Sequence, residues 1–428
     1  MSDPNRAGAA ISIVTAFPDL VRSYMSCGVL GRAVGLGKID VSVIDVRDFA
    51  RGGYRQVDDY SFGGGGMVMM AGPMEDAVNS AAEKGGRYVL YPSPQGTPLH
   101  QELVEDLRRI AGTKRLVIAC GRYEGIDERF VQRNVDMEIS VGDFVLTGGE
   151  LPALAIADAI SRLVAGVVGR SEAVTDDSFY SGMLDHPHYT RPEDFDGDMA
   201  PRVLLEGDRS AVRRFRRRES AERTLSRRPD MIARAGVMPW LEYGAYVLQL
   251  HHMVEDRNGN ASTTAITGMD LHDIARACRT YGVKKYIVAT PFAQQRELVK
   301  KVASHWTVGY GADFNPDRAS AMETIKVVDS LGRALEWIGR KEKKPPFTIA
   351  TTAREREDAT SWLTLKARIL QIGRPVAFIF GTGSGLSEEV MSYSDAVMSP
   401  ISGGSGGYNH LSVRSAAGII LDRFFGFR

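Results

Sequence analysis

One pattern that occurs twice constrains this chain most. The apolar run Leu116–Cys120 leads into Gly121-Arg-Tyr-Glu-Gly125-Ile-Asp-Glu128, and Val376–Phe380 leads into Gly381-Thr-Gly-Ser-Gly385-Leu-Ser-Glu388. Both read as a strand followed by G-x-x-x-G-[IL]-x-E. About thirty residues upstream, each half has another apolar run ending in a polar loop, Val89–Ser93 and Ile349–Ala353. Some twenty-odd residues downstream, each has a glycine pair before an apolar helix, Gly148-Gly149 before Ala153–Val164 and Gly403-Gly404 before Leu411–Phe425. One shared spacing is within chance. Three in the same order mark a duplicated unit in which strand ends and glycine loops offer main-chain N–H and C=O groups to one ligand.

Around these motifs, strand-like runs alternate with amphipathic stretches: Ala10–Phe17, Leu20–Ala33 and Ile39–Val46 early, then Tyr246–His251, Asp270–Thr280 and Lys285–Thr290 late. The alternation predicts parallel α/β structure, and 428 residues predict two or three domains. The polar, aromatic stretch Ser171–Arg191 separates the halves. Beyond it, Arg202–Arg234 holds eleven arginines, no lysine and five acids, a local excess of +6 in a chain whose 53 basic and 53 acidic residues cancel. Such a run is either a solvated face or a phosphate-binding one, and the planar guanidinium fork suits phosphate. Cys27, Cys120 and Cys278 are scattered, as reduced cytoplasmic thiols would be, and no spacing among them suggests a metal site. No apolar run has the length of a membrane span, and Met1–Ala9 is unlike a signal peptide, so a soluble cytoplasmic protein is expected.

Gly381-Thr-Gly-Ser-Gly385 resembles a Rossmann-type loop in isolation, but it lies 47 residues from Arg428, too few for the βα units that follow such a loop. No G-x-x-x-x-G-K-[ST] segment supports ATP chemistry. A different family fits the longer motifs. Val57-Asp-Asp59 with Phe62-Gly-Gly-Gly-Gly-Met67, Tyr91-Pro-Ser-Pro-Gln-Gly96, Cys120-Gly-Arg-Tyr-Glu-Gly-Ile-Asp-Glu-Arg129, Gly142-Asp-Phe-Val-Leu-Thr-Gly-Gly-Glu-Leu-Pro152 and Leu184-Asp-His-Pro-His-Tyr-Thr-Arg-Pro192 resemble the TrmD family of tRNA (guanine-N1)-methyltransferases, in its own order, over residues 10 to 236. Two departures stand out. The loop before Met67 is one residue shorter than the family's, and the helical region stops after Arg228-Pro-Asp230.

The resemblance implies a SPOUT fold whose C-terminal part is threaded into a trefoil knot, an exception to unknotted chains. It implies S-adenosylmethionine (SAM) as cofactor, Mg²⁺ as an aid to methyl transfer, tRNA guanine-37 as target and a homodimer, with neither DNA nor membrane as partner. It makes Asp177 the base and Arg162 its electrostatic partner; Asp176 is the neighbouring rival. SAM-binding positions on this reading are Tyr91, Pro94, Gly121, Tyr123, Glu124, Val141, Gly142, Phe144, Leu146, Gly148 and Gly149. Tyr123 and Phe144 fit ligand contact or a core, and Glu124 fits the SAM ammonium or a metal. His188 and Tyr189 would pack or hydrogen-bond near a flipped base. No ligand cluster marks a fixed metal site. Guanine N1 keeps its proton at neutral pH, so the chemistry needs a base for it and positive charge near O6.

Phe380-Gly-Thr-Gly-Ser-Gly-Leu386 and Gly403-Gly-Ser-Gly-Gly-Tyr-Asn-His-Leu-Ser-Val-Arg414 resemble a second SPOUT domain of a kind found fused to TrmD, with Gly381, Gly383, Gly385 and Gly403 as SAM positions. Its role is left as RNA methyltransferase or as a non-catalytic module binding tRNA or SAM. Asn409, His410, Ser412 and Arg414 are its polar candidates; helix capping competes for Asn409 and His410. No carboxylate after the last glycine loop matches Asp177. The expected organisation is a methyltransferase domain at 1–170, a linker carrying the catalytic Asp at 171–190, a shortened basic helical tRNA-binding region at 191–242 and a second SAM-binding domain at 243–428.

Overall fold

Strands in which every residue is apolar require cover on both faces, which parallel sheets obtain from their crossover helices. The computed structural model describes residues 8–50, 54–81, 86–168, 177–180, 182–308, 314–403 and 409–426. The chain divides into two compact units, Met1–Ser181 and Gly182–Arg428.

In the first unit, β1 (Ala9–Thr15), β2 (Ile39–Asp45), β3 (Arg87–Pro98), β4 (Arg115–Ala119) and β5 (Met137–Ser140) form a parallel sheet in the order β2-β1-β4-β3-β5. All five residues of β4 are buried. Their alternation divides them between two cores. Leu116 and Ile118 join Ile11 and Ile13 under helices Gln101–Ala111 and Glu150–Arg162, whereas Val117 and Ala119 join Val14 and Val89 under Ala71–Ser80 and Glu128–Asn134. The amphipathic stretch Leu20–Ala33 falls in two helices, Pro18–Met25 and Gly28–Gly35. The break falls where Gly28 takes φ +64°, a conformation that ends a right-handed helix.

The second unit contains β6 (Ala245–Leu250), β7 (Lys285–Ala289), β8 (Ile325–Val328), β9 (Phe347–Thr351), β10 (Ala359–Thr360), β11 (Val376–Gly381) and β12 (Ala396–Met398) in the parallel order β8-β7-β6-β11-β9-β12-β10. Its inner five strands repeat the order of the first sheet, so the duplication read from the glycine motifs extends to topology. The loops agree in detail. Tyr123 and Gly383 have φ of 58° and 65°, and Gly125 and Gly385 have φ of 123° and 122°. The carbonyls of Gly125 and Gly385 each accept a main-chain hydrogen bond at 3.0 Å, from Met69 and Glu255. A further parallel has no motif to announce it: the carboxylates of Asp136 and Asp395 accept from the N–H of Val89 (2.7 Å) and Thr348 (2.9 Å).

The basic segment forms helix Arg209–Arg227, started by Asp208, whose carboxylate accepts from the N–H groups of Ser210 and Ala211. Helix Pro229–Arg234 comes next, and buried Ala221 and Ile232 share a core with Leu365, Ile369 and Phe424 of the second sheet's helices. Within the expected linker, residues 171–176, and with them Asp176, lie outside the described residues, as do 181 and Gly404 to Gly407. Among the described residues no helix is long and apolar enough to cross a membrane.

Candidate active site

The C-terminal ends of β3, β4 and β5 lie side by side, so the loops leaving them converge. Between them is a cleft of about 350 Å³. Tyr91, Pro94, Gly121, Tyr123, Glu124, Val141, Gly142, Phe144, Leu146, Gly148 and Gly149 all line it, so every ligand position expected in the first half faces one space. Gln95, Ile126, Glu128, Glu138 and Pro152 line it as well. Nothing in their local sequence separates them from residues supporting the loops.

Small residues are a steric requirement at the floor. A Cβ on Gly149 would lie 2.9 Å from the Cα of Cys120 and 3.1 Å from the N of Gly121. Instead the Gly149 N–H donates to the Gly121 carbonyl at 2.9 Å, drawing the last loop onto the first. Tyr123 and Phe144 are 64% and 57% exposed, which removes the alternative that they are core aromatics. The Tyr123 hydroxyl is hydrogen-bonded to Asp58, which raises its pKa. Glu124 packs under the glycine loop before Met67: a Cβ on Gly66 would meet its Cγ at 2.8 Å.

A buried polar tie behind the cleft was not legible from the motifs. Glu150, 1% exposed, accepts from the Thr15 hydroxyl at 2.8 Å and pairs with Arg122 Nε at 3.1 Å. Arg122 also donates to the Thr147 carbonyl at 3.1 Å, and its guanidinium lies 4.1 Å from the Phe17 ring centre. One arginine thus fixes the ends of β1 and β4 and the last loop together, its charge compensated by a carboxylate out of solvent. Beside it, burial pushes the Cys120 thiol pKa well up.

Arg162, the last residue of helix Glu150–Arg162, is ion-paired with Asp177, and both side chains are roughly half exposed. The two expected catalytic residues therefore meet. Helix geometry separates them from the cleft: Pro152 lines it, and ten residues at 1.5 Å each put Arg162 about 15 Å further along the axis. Among the described residues, one group of three or more His, Cys, Asp or Glu side chains comes within reach of a shared ion, Asp185, His186 and His188. Asp185 accepts from a His188 ring nitrogen at 2.7 Å, so His188 is engaged locally. Tyr189 is half exposed.

In the second unit, Gly381, Gly383 and Gly385 form the loop leaving β11, and a Cβ on Gly381 would meet the N of Leu386 at 2.6 Å. Gly403 is exposed. Asn409 donates to the Ala353 carbonyl at 2.9 Å, linking the last loop to that of β9. The cap of helix Val413–Phe425 is Ser412, neither Asn409 nor His410. Arg414 reaches Asp270 at 3.3 Å and Asp273 at 3.6 Å. An arginine–carboxylate pair therefore exists here, its acid on helix Gly268–Thr280, far upstream of the last glycine loop.

A duplicated parallel α/β scaffold, with glycine loops walling a cleft at the strand ends and a paired arginine and aspartate beyond it, defines a small-molecule-binding enzyme class. The model of the family described as tRNA (Guanine-1)-methyltransferase TrmD matches residues 9–234, and that of a SAM-dependent RNA methyltransferase family matches 244–426. A protein of Nitratidesulfovibrio vulgaris named tRNA (guanine-N(1)-)-methyltransferase is 40% identical over 97% of this chain and 99% of its own length. One of the same name from Oleidesulfovibrio alaskensis is 37% identical over the same shares. A shorter namesake from Shewanella loihica is 48% identical over 52% of this chain and 89% of its own length. The chain belongs to the TrmD family and carries a second, SAM-dependent RNA methyltransferase domain.

Proposed function

We propose that the chain methylates N1 of guanine-37 in the tRNA anticodon loop, using SAM held in the cleft of the first unit. The observation that carries this reading is the convergence of all eleven expected ligand positions on that one cleft. Its volume is in the range of small-molecule sites, and its glycine floor lets main-chain groups approach a ligand closely. When bound, SAM would supply the electrophilic methyl group, its S–CH₃ bond breaking so that S-adenosylhomocysteine leaves with the electron pair. Asp177 takes the N1 proton, freeing the nitrogen lone pair for the new N–CH₃ bond, and the Arg162 guanidinium stabilises negative charge at O6. A paired base hides N1, so the target guanine must be unstacked and read on its Watson–Crick edge.

The separation of about 15 Å between cleft and Arg162 along one helix favours a symmetric homodimer in which one protomer's Asp177 serves its partner's cleft. Leu20 and Tyr24, and Leu151 and Ala155, are exposed i,i+4 pairs on two helices that pack together, an apolar face suited to the same contact. We assign each sheet a C-terminal trefoil knot and the protein a cytoplasmic location on the family resemblance. Mg²⁺ prefers octahedral oxygen ligands. The Asp185, His186 and His188 group, with two imidazole ligands, does not fit it. The second unit, by its repeated loops, is read as a second SAM-dependent methyltransferase acting on another RNA nucleotide. Nucleoside mass spectrometry of unmodified tRNA incubated with the full chain and SAM tests the whole reading. N1-methylguanosine must form at position 37, and its absence rejects the assignment.

A further inference from the structure

Helix Arg209–Arg227 turns two faces to two environments. Arg213, Arg214, Arg216, Arg217 and Arg218 are exposed, whereas Ala221 and Thr224 are fully buried and Leu225 is partly so. The buried face packs against helix Trp362–Gln371, which covers the second sheet. Polar contacts fix the seam. The Ser220 hydroxyl donates to the Leu184 carbonyl at 2.5 Å, and the Leu184 N–H donates to Thr224 at 2.9 Å. Buried Lys366 donates to the Arg423 carbonyl at 2.7 Å and the Ala233 carbonyl at 3.4 Å, joining helix Pro229–Arg234 to the C-terminal helix. Met183, Ile232 and Val237 lie in the same core as Leu365, Leu370 and Phe425. A boundary at residue 243 would therefore cut through a core.

Relatives such as the Shewanella loihica protein have 89% of their length inside a match covering half of this chain, which leaves no room for a second sheet. Here the second sheet supplies the cover for the basic helix. Along the seam runs a groove lined by Arg214 and Arg217 from the helix and by Trp240, Gln371 and Arg374 from later in the chain, with Glu242 as its carboxylate. It encloses only about 10 Å³, too little for a small molecule. The exposed guanidiniums of Arg214 and Arg217 beside an open groove suit a polyanion backbone. The Arg374 guanidinium donates to the carbonyls of Pro345 (3.1 Å) and Pro346 (2.7 Å) and to Asp395 (3.2 Å), whose carboxylate compensates its charge at the groove's rim.

We propose that the basic helix and the second sheet with its helices form one composite RNA-binding face, with Arg214 and Arg217 meeting backbone phosphate beside Gln371, so that the grip on tRNA depends on the second sheet. This rests on the tRNA reading above. The test uses the full chain, unmodified tRNA transcript and a salt series. Arg214→Gln/Arg217→Gln should weaken binding about 10-fold or more and flatten the log–log salt slope by about 0.7 to 0.9 for each arginine in contact. Gln371→Glu, which adds charge from the second sheet's side, should weaken binding several-fold, whereas the uncharged Gln371→Ala should not; SAM affinity should hold in all. Loss in the arginine variant alone would mean that the helix binds unaided, which overturns the composite face. Unchanged binding in every variant of a chain that still methylates tRNA overturns the face and leaves the methyltransferase reading standing. Limited proteolysis of the full chain gives a second readout. A resistant fragment beginning between residues 177 and 190 supports one shared core, and one beginning near 243 with the basic helix digested overturns it.

Discussion

Asp177 is ion-paired with Arg162 across fifteen residues of sequence, at the end of helix Glu150–Arg162 remote from the cleft that its first turn lines. The pairing keeps a carboxylate and a guanidinium together at a place exposed to a large substrate. Asp177→Asn should leave SAM binding by calorimetry intact while methylation falls about 10²-fold or more, the usual scale for a lost general base. Activity within a few-fold of the parent would shift the role to Asp176 or to solvent.

The same separation predicts subunit complementation. In the proposed homodimer, Asp177→Asn and Gly121→Leu proteins, each inactive alone, should regain activity when subunits are exchanged, because the mixed pair contains one site with an intact cleft and an intact base. No recovery after verified exchange, or a fully active monomer in sedimentation, would show that each chain completes its own site.

Gly149→Ala tests the steric floor. The added Cβ would press on the Cys120 main chain at 2.9 Å, where backbone rather than a flexible side chain must yield. SAM affinity should fall about 10-fold, equivalent to about 1.4 kcal/mol. Gly72→Ala, where the new Cβ meets open space, is the control and should bind SAM normally.

His251 gives the second unit a pH signature. The ring is fully buried, with Nδ1 3.0 Å from the Thr264 hydroxyl, and burial pushes its pKa down to about 4. The unfolded chain therefore binds the proton more readily between about pH 6.5 and 4. Stability from the neutral ring is present above 6.5 and is lost as pH falls toward 4, by about 3 kcal/mol at most. Urea midpoints for the second unit's transition should decline over that window, and His251→Gln should flatten the decline. An unchanged slope would assign the acid sensitivity to other groups.

The sequence carried the repeating chemistry of this protein. Apolar runs such as Leu116–Cys120 and Val376–Phe380 announce buried parallel strands because each must be covered on both faces. The glycine loops announce close main-chain approach because a Cβ at Gly149 or Gly381 would strike backbone. The ligand positions of the first half were legible for that reason, since each lies within a few residues of a strand end. Tertiary structure alone decided which distant side chains meet. Glu150 closes on Thr15 and Arg122, and Arg414 closes on Asp270, through contacts between residues up to 144 apart that no local pattern records. It also decided where the basic helix belongs. Its arginines are visible in the sequence, but the cover for its apolar face comes from helices beyond residue 360, because burial depends on which surfaces the folded chain brings near and not on which residues are neighbours in sequence.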